Sequence, residues 1–532
     1  MKRAFSHNKI IIIMLFVYSV MQIYCINQLS INYDEGSFAS YGTSLLKFQR
    51  KKDVVRYESK LPITALNMIP RAIEQVLHPN LKRTWPGSAV DIIRGRYISL
   101  LVSLFLGILI FRWSKELYNE KTALFVLLLY LICPNFLAHG IFVSSDIFAC
   151  FFMTLSLYYL WRFFLFGRRK HFLFMSIATG LAEISKFSMI HLFFIIPLLS
   201  ILVYALAPGT KSLFNRFNFK KVLVYSLIFV FINWLIICFS HLFFQVFLPL
   251  KEYTFMSAPF KTLQHFIPGV PVPLPSSYVS SLDAVIYFDR LGGGVPGSLN
   301  GAPYILGKNS VSGFWYYYFV VLFFKLPIPI LLIWLGSIVL VFKTYGKTTF
   351  FRSDVFFILP VLYFLIYMNF FYSTQVGIRH IMIIFPLLFI LSGKLTQKLL
   401  EGRKQIILYS LVAWQCISAF RYFPHFLPYT NEFILNKKMA YKKIADTNLC
   451  YGEGDKYLNK YLADNRDAIF QPDKPVAGKI VLEVNELLNL NMRSLHKYDW
   501  AASLSPVTHI HSEYLVFQIT KEQADSLQKV YP

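Results

Sequence analysis

Apolar and polar residues alternate along this chain in long blocks. Apolar runs of about 16 to 25 residues are separated by polar connections, most of them short, and runs of this length suit helices that cross the hydrocarbon core of a bilayer. The pattern predicts about eleven transmembrane helices. The predicted spans lie near residues 10–29, 95–112, 122–138, 147–166, 171–185, 187–207, 222–249, 314–342, 355–372, 380–395 and 405–422.

The basic residues of the connections indicate how the chain is oriented. Clusters such as Arg168, Arg169 and Lys170 fall in every second connection, and the intervening ones hold few basic residues. The basic connections are therefore expected in the cytoplasm, with the long loops 30–94 and 250–313 outside. With 56% hydrophobic and 15% charged residues, the net charge of +25 is explained by membrane orientation and not by nucleic-acid binding.

The last part of the chain has a different pattern. The stretches "GKIVLEV" and "EYLVFQI" alternate as strands do, and "EGDKYLNKYLADN" has helical spacing. Since this part follows the eleventh span, it is expected on the same side as the long loops. The chain is thus predicted to have a transmembrane domain, residues 1–422, and a small extracytoplasmic α+β domain, residues 423–532.

Two further segments affect this interpretation. The first apolar run resembles a signal peptide, but no small-residue cleavage site follows it, so it is expected to stay as a helix. In the first outer loop, "LPITALNMIPRAIEQVL" has apolar residues at helical spacing and predicts an interfacial helix, either packing the structure or touching substrate. The six cysteines show neither a disulfide framework nor zinc spacing, so no metal ligands are predicted.

Acidic candidates lie where spans meet the outer side. Asp34 and Glu35 follow the first span in "SINYDEGSFASYG". Such loop acids are commonly just solvated; the functional alternative makes Asp34 a general base and lets Glu35 orient a partner or a cation. Asp146 opens the fourth span, where a functional role and helix capping are both consistent with its position.

Basic candidates lie on the same side. Arg96 opens the second span, where it could pair with the acid pair, bind a phosphate or extend to the interface. Lys325 lies within the apolar run "GFWYYYFVVLFFKLPIPILL" and is expected to have an anionic partner such as a lipid phosphate or a carboxylate. Arg379 is a bidentate phosphate donor, whereas the adjacent His380 is more often a structural residue.

Taken in order, these segments resemble one family of membrane enzymes. "YDEG", "ESKLPITALNMIP", "GRYISLL", "SSDIFAC", "GLAEISKFS", "GFWYYYFVVLFFKLPIPIL" and "GIRHIMIIFPLL" are similar to motifs of the lipid-carrier-dependent glycosyltransferases of the GT-C fold. That family includes protein O-mannosyltransferases and aminoarabinose transferases. The tail resembles the extension of a bacterial branch that usually reads Asp-Ser-Asn-x-Asp-Trp-Gly-Gln, where this chain reads "DTNLCYGEG", with Cys450 replacing the second acid.

The resemblance implies a polytopic α-helical membrane protein of the GT-C fold. It would move a sugar from a polyprenyl-phosphate carrier to an acceptor hydroxyl of a protein, lipid or glycan, with inversion. Asp34 would be the catalytic base, with Glu35 and Asp146 as further catalytic residues. The carrier phosphate would be bound by residues among Lys60, Arg96, Lys186, Lys325, Arg379 and His380.

The same resemblance implies partners and a location. The partners are the lipid-linked donor, the acceptor and membrane lipids, without nucleic acid. No cofactor is implied with certainty, and a divalent cation is left open. The tail favours a bacterial inner membrane with the active site outside, whereas an endoplasmic reticulum location would imply dolichol. The alternative function is a transporter or flippase for lipid-linked sugars, which would predict inverted repeats and helices broken at the midplane.

Overall fold

The computed structural model describes residues 2–79, 89–207, 219–293, 302–490 and 496–531, and most of these are helical. In this part of the chain, seven helices are long and apolar enough to cross a membrane. They are Asn8–Gln28, Ala89–Leu117, Asp146–Phe166, Phe187–Leu206, Lys220–Ser240, Phe350–Phe370 and Met382–Leu399. Each of them coincides with one of the predicted apolar runs. The protein is therefore a multi-pass membrane protein, as predicted.

The other four predicted runs contain shorter helices. The eighth run is divided at Pro327, because a proline has no N–H to continue the helical hydrogen bonds. By length alone these helices are short for a hydrocarbon core of about 30 Å, so the count of eleven spans stays a prediction. The shorter helices are Glu120–Leu131, Pro134–His139, Arg169–Glu183, Tyr317–Lys325, Ile328–Lys343 and Gln405–Phe420.

The first outer loop is folded onto the membrane helices. It contains the helices Glu35–Leu46 and Val54–Tyr57, a 3-10 helix Pro62–Met68 and the helix Ile69–Leu77. The last of these exposes apolar side chains, and Leu77 is 68% exposed. Its exposed apolar face agrees with the interfacial position predicted for this segment. Part of this loop, residues 80–88, lies outside the described residues.

The second outer loop is built from short elements. Leu248–Pro249 pairs with Pro271–Val272 in an antiparallel bridge, and Tyr304–Ile305 pairs in the same way with Lys308–Asn309. Two helices complete the described part of the loop, Ala258–Phe266 and Ser276–Arg290. Short 3-10 turns occur in and between the main elements at Phe187–His191, Leu250–Glu252, Ile378–His380, Met382–Ile384, Gly402–Lys404, Lys437–Lys442, Asp446–Asn448 and Asp499–Ala501.

The tail forms an α+β unit, as predicted. Its four-stranded sheet has the order Ala468–Phe470, Gly478–Glu483, Tyr514–Ile519 and Thr508–Ile510; the first pair is parallel and the other two are antiparallel. The two long central strands carry consecutive apolar side chains and are largely buried, as expected for strands covered on both faces and not for alternating ones. The helices of the unit are Asp455–Asp464, Val484–Leu487 and Lys521–Val530.

Main-chain hydrogen bonds join the tail to the segment that leaves the first helix. The N–H of Ser30 donates to the carbonyl of Glu453 at 2.8 Å, and the N–H of Tyr33 donates to the carbonyl of Tyr451 at 3.0 Å. These bonds hold residues 30–33 against residues 451–453. The carboxylate of Asp34 is thereby placed at the junction of the membrane helices and the tail.

Candidate active site

Six of the nine predicted site residues line one cavity of about 830 Å³. A cavity of this size is in the range of pockets that hold small ligands. Its wall combines charged groups with apolar ones such as Phe38, Ile190, Ile286 and Phe288. The structure thus brings together Asp34, Lys60, Asp146, Lys186, Arg379 and His380.

Asp34 is held at the start of the helix Glu35–Leu46. The side chain of Asn32 accepts hydrogen bonds from the N–H groups of Asp34 and Glu35, both at 3.0 Å, which fixes the turn. Arg379 Nη1 donates to Asp34 Oδ2 at 3.0 Å, and Lys60 Nζ lies 3.7 Å from Oδ1. The side chain of Asp34 is 30% exposed, so a ligand in the cavity can reach it.

The charge state of Asp34 follows from these neighbours. Burial raises its pKa, but the positive charges of Lys60 and Arg379 and a hydrogen bond from Tyr451 outweigh that effect. The pKa of Asp34 is therefore held well below its usual range. The carboxylate is an anion and a hydrogen-bond acceptor at neutral pH.

Asp146 and Lys186 form the second charged pair of the cavity. Lys186 Nζ lies 2.7 Å from Asp146 Oδ1, and the two side chains are 16% and 6% exposed. Asp146 is the first residue of the helix Asp146–Phe166, and Ser145 holds the cap position. The carboxylate therefore has an ion-pair partner at a helix N-terminus, where a negative charge is favourable. Asp146 is therefore not the N-cap residue of this helix, which was the alternative role that the sequence left open.

Glu35 does not face the cavity. Its carboxylate forms a bidentate ion pair with Arg96, with Nε–Oε1 at 2.8 Å and Nη2–Oε2 at 2.5 Å, and neither side chain is exposed. The N–H of Val143 also donates to Glu35 at 2.9 Å. Of the three alternatives for Arg96, the structure shows pairing with the acid pair. This ion pair positions the turn that carries Asp34.

Lys325 also lies outside the cavity. It is 1% exposed, and its ammonium donates to the carbonyls of Leu427 at 2.6 Å and Asn448 at 2.7 Å. Among the described residues its partners are these main-chain carbonyls and not a carboxylate, one of the two anionic partners expected; a lipid phosphate stays a prediction. The helix Tyr317–Lys325 ends at this lysine, so its side chain extends to the tail. There it donates to main-chain carbonyl oxygens, which need hydrogen-bond donors when they are buried.

Sequence reasoning missed one residue at the centre of the site. Tyr451 donates its hydroxyl hydrogen to Asp34 Oδ2 at 2.6 Å, and its oxygen accepts a hydrogen bond from Arg379. Tyr451 belongs to "DTNLCYGEG", where the chain departs from the motif it resembles. That departure from the motif was the sequence signal that this segment differs from the family it resembles. Tyr451 and Asp34 are separated by 417 residues, so no local sequence pattern could indicate their contact.

The arrangement suits an anionic ligand. Lys60, Lys186 and Arg379 are only 10%, 16% and 12% exposed, so their charges lie in a partly desolvated wall where interactions with an anion are strong. Arginine and lysine are the usual donors to phosphate oxygens.

Comparison with known proteins adds a family match. Residues 89–237, a little over a quarter of the chain, match the family described as dolichyl-phosphate-mannose-protein mannosyltransferase. The matched segment contains Arg96, Asp146 and Lys186. No curated protein sequence matches this chain significantly.

Solved structures show a more distant likeness. The crystal structure of apo ArnT from Cupriavidus metallidurans has 13% identity and a TM-score of 0.45, covering 75% of this chain and 61% of that chain. The structure of the same protein bound to undecaprenyl phosphate has 12% identity and a TM-score of 0.46, covering 86% of this chain and 71% of that chain. The Archaeoglobus fulgidus oligosaccharyltransferase complex with Zn and sulfate has 12% identity and a TM-score of 0.41, covering 84% of this chain and 57% of that chain.

This chain thus spans less than two thirds of the apo ArnT and archaeal chains. The argument for a family therefore depends on the sequence match and on the residues themselves. Over residues 89–237, that match confirms the resemblance to lipid-carrier-dependent glycosyltransferases that the sequence motifs predict.

Proposed function

We propose that this chain is a membrane glycosyltransferase that moves a sugar from a polyprenyl-phosphate carrier to an acceptor hydroxyl. The observation that carries the proposal is the cavity in which Asp34 and Asp146 lie beside Lys60, Lys186 and Arg379. The family match over residues 89–237 supports it independently. An acid able to take a proton and basic groups able to hold a phosphate are the two requirements of this reaction.

The proposed reaction is a single displacement. The acceptor oxygen forms a bond to the anomeric carbon of the sugar, and the bond from that carbon to the phosphate oxygen breaks. The proton of the acceptor hydroxyl passes to Asp34. The carrier leaves as a phosphate monoester with one more negative charge than the donor had. One displacement inverts the anomeric centre and needs no protein nucleophile.

Lys60 and Arg379 are the proposed ligands of the leaving phosphate. Both already contact Asp34, at 3.7 Å and 3.0 Å, so a phosphate entering the cavity competes with Asp34 for them. As these cations turn to the phosphate, the pKa of Asp34 rises and the carboxylate becomes a stronger base. Donor binding thereby activates the base only when a substrate is present.

The remaining predicted residues receive different roles. Lys186, oriented by Asp146, is proposed to bind phosphate or sugar oxygens in the same cavity. His380 lines the same cavity, and its Nδ1 lies 3.1 Å from the hydroxyl of Tyr372. Glu35 and Arg96 are proposed as positioning residues for the turn at Asp34, and Lys325 as the anchor of the tail.

The setting of the reaction is also part of the proposal. The positive-inside pattern supports an outer position for the cavity and for residues 423–532 as an extracytoplasmic domain. The bacterial character of the tail motifs supports an inner membrane and an undecaprenyl-type carrier. The acceptor is a hydroxyl of a protein, lipid or glycan, and no nucleic acid takes part.

The test is a transfer assay with the purified protein in nanodiscs and a panel of polyprenyl-phosphate sugars. Mass spectrometry follows released carrier phosphate and glycosylated acceptors, for wild type and for Asp34→Asn. We expect release from at least one donor, and a loss of about a hundredfold or more in Asp34→Asn. Asp464→Asn, which changes an exposed carboxylate on a tail helix, is the matched control and should keep full activity.

Two results would contradict the proposal. Full transfer by Asp34→Asn protein would remove the assigned base. Movement of the lipid-linked sugar between leaflets without any transfer would support the flippase alternative.

A further inference from the structure

A second buried group of ionisable side chains lies in the tail, one residue from the contact with Asp34. It consists of His425, Cys450, Glu453, Glu483 and Glu513, which we call the acid cluster. Glu483 is 7% exposed and the other four are fully buried. Donor atoms of His425, Glu453 and Glu513 all lie within 4.8 Å of one another.

The acid cluster has more acceptor atoms than its hydrogen bonds satisfy. Cys450 Sγ lies 3.1 Å from Glu483 Oε1 and 3.3 Å from Glu513 Oε1. The thiol has one hydrogen for these two oxygens, which also accept hydrogen bonds from the hydroxyl of Tyr33 at 2.8 Å and from the N–H of Gly452 at 3.0 Å, respectively. His425 Nε2 lies 2.5 Å from Glu453 Oε1. The other carboxylate oxygen of Glu513, Oε2, is buried with no hydrogen-bond partner among the described residues.

The charges of the acid cluster are not balanced by the protein. Three carboxylates are buried together, and no described lysine or arginine lies within ion-pair distance of Glu453, Glu483 or Glu513. Uncompensated buried carboxylates are costly, and they commonly either hold protons or coordinate a metal.

The backbone leaves room for this arrangement at one point. A Cβ on Gly454 would lie 1.8 Å from Glu513 Oε2 and 3.5 Å from the Cε1 atom of His425. Only a glycine can therefore occupy this position without displacing Glu513. The unpartnered oxygen of Glu513 and the imidazole of His425 therefore both lie next to Gly454. His425, Glu453 and Glu513 thus converge on a common point with one free acceptor atom.

We propose that the acid cluster is a binding site for a divalent transition-metal ion of the zinc type, with His425, Glu453 and Glu513 as ligands. Cys450, whose Sγ lies 3.3 Å from Glu513 Oε1, is the proposed fourth ligand at the edge of this group. Imidazole, carboxylate and thiolate are the donors that Zn²⁺ prefers, at about 2.0–2.3 Å. Binding displaces protons from the thiol and the carboxyls, and the ion supplies the positive charge that the protein lacks.

The metal site would have a consequence for the cavity. Cys450 and Glu453 flank Tyr451, whose hydroxyl contacts Asp34. The N–H of Tyr451 donates to Glu453 Oε2 at 3.1 Å, and the N–H of Gly452 donates to Glu513 Oε1 at 3.0 Å. A metal held by these carboxylates therefore fixes the segment that presents Tyr451. The site is structural and does not depend on the function proposed for the cavity.

The experiment uses the full-length protein in detergent, stripped with a chelator, reloaded with Zn²⁺ and dialysed. Elemental analysis should find one zinc ion per chain in wild type and nearly none in Glu513→Gln. Zinc should also raise the thermal unfolding temperature of wild type but not that of Glu513→Gln. Reloading with Co²⁺ gives an independent probe, because a thiolate ligand produces a near-ultraviolet charge-transfer band that Cys450→Ser would remove.

The control is Cys416→Ser, which changes a thiol on the helix Gln405–Phe420 that is not a member of the acid cluster. It should bind one zinc ion with wild-type affinity. If Glu513→Gln does not fold, Cys450→Ser, a nearly isosteric change, is expected to lower zinc affinity about tenfold or more. Wild-type protein that retains no zinc, or variants that bind it as tightly as wild type, would overturn the proposal.

Discussion

The cavity and the acid cluster both bury carboxylates, but they differ in how the protein balances the charge. In the cavity, Asp34 lies against Lys60 and Arg379, and Asp146 against Lys186. In the acid cluster, three glutamates share one histidine and one thiol. Balanced carboxylates leave basic groups that an anionic ligand can take over, whereas unbalanced ones attract a cation. The sign of the missing charge thus indicates the kind of ligand.

The largest expected effect comes from removing the balance of a buried carboxylate. Arg96→Met leaves Glu35 fully buried with no cation, and breaking such a pair typically costs about 3–5 kcal/mol of stability. Thermal unfolding in detergent measures the loss. Arg94→Met is the control, because its ion pair with Glu74 is partly exposed and contributes at most about 1 kcal/mol. Equal losses in the two variants would show that burial does not set the cost.

A smaller effect is expected from changing the shape of a cation in the cavity while keeping its charge. Arg379→Lys retains the positive charge near Asp34 but loses the planar group that donates two bonds to a phosphate. We expect donor affinity to fall about tenfold, equivalent to about 1.4 kcal/mol. The measurement is donor KM in the transfer assay. An unchanged KM would mean that Arg379 serves Asp34 alone.

The pairing of Asp34 also predicts a dependence on pH. Its pKa is lowered from the ordinary value of 3.8, so its ion pairs contribute stability above that value and lose it as the pH falls through the lower, folded-state pKa. The stability difference between wild type and Asp34→Asn should therefore be constant from neutral pH to about pH 5 and shrink in stronger acid. Unfolding curves at several pH values measure this difference. A difference that already shrinks near neutral pH would contradict the assignment.

The smallest effect, of opposite sign, is expected in the acid cluster. In metal-free protein, Glu513→Gln removes a carboxyl that no cation balances, and its amide can still accept the hydrogen bond from Gly452. We expect the change to be neutral or stabilising by roughly 1 kcal/mol, because the amide has nearly the shape of the carboxyl and removes one acidic group from beside Glu453 and Glu483. Unfolding of chelator-treated protein tests this. A loss as large as that of Arg96→Met would show that Glu513 has an unrecognised cationic partner.

Much of the fold could be predicted because each membrane helix corresponds to a continuous run of apolar residues in the sequence. The positions of the seven long apolar helices, the break at Pro327 and the strands of the tail all follow from composition and periodicity. The candidate site was predictable where it coincides with recognisable motifs, as at Asp34, Asp146 and Lys186. In each case the signal lies within a few residues.

The rest depends on contacts between distant parts of the chain. Glu35 and Asp34 are adjacent, yet one is sealed against Arg96 and the other faces the cavity, and only the packing of the first loop decides which. Lys325 is bound by carbonyls of the tail, where a charged partner was expected. The acid cluster combines residues 425, 450, 453, 483 and 513, whose spacing matches no metal motif in the sequence.

The contact between Tyr451 and Asp34 also sets the order of events during biosynthesis. The two residues are separated by 417 positions, so at a synthesis rate of about 5–20 residues per second the first waits roughly 20–80 s for the second. A partly made chain has its early helices in the bilayer long before the tail segment exists. The complete constellation around Asp34 is thus assembled only near the end of translation, which keeps unfinished chains from presenting it.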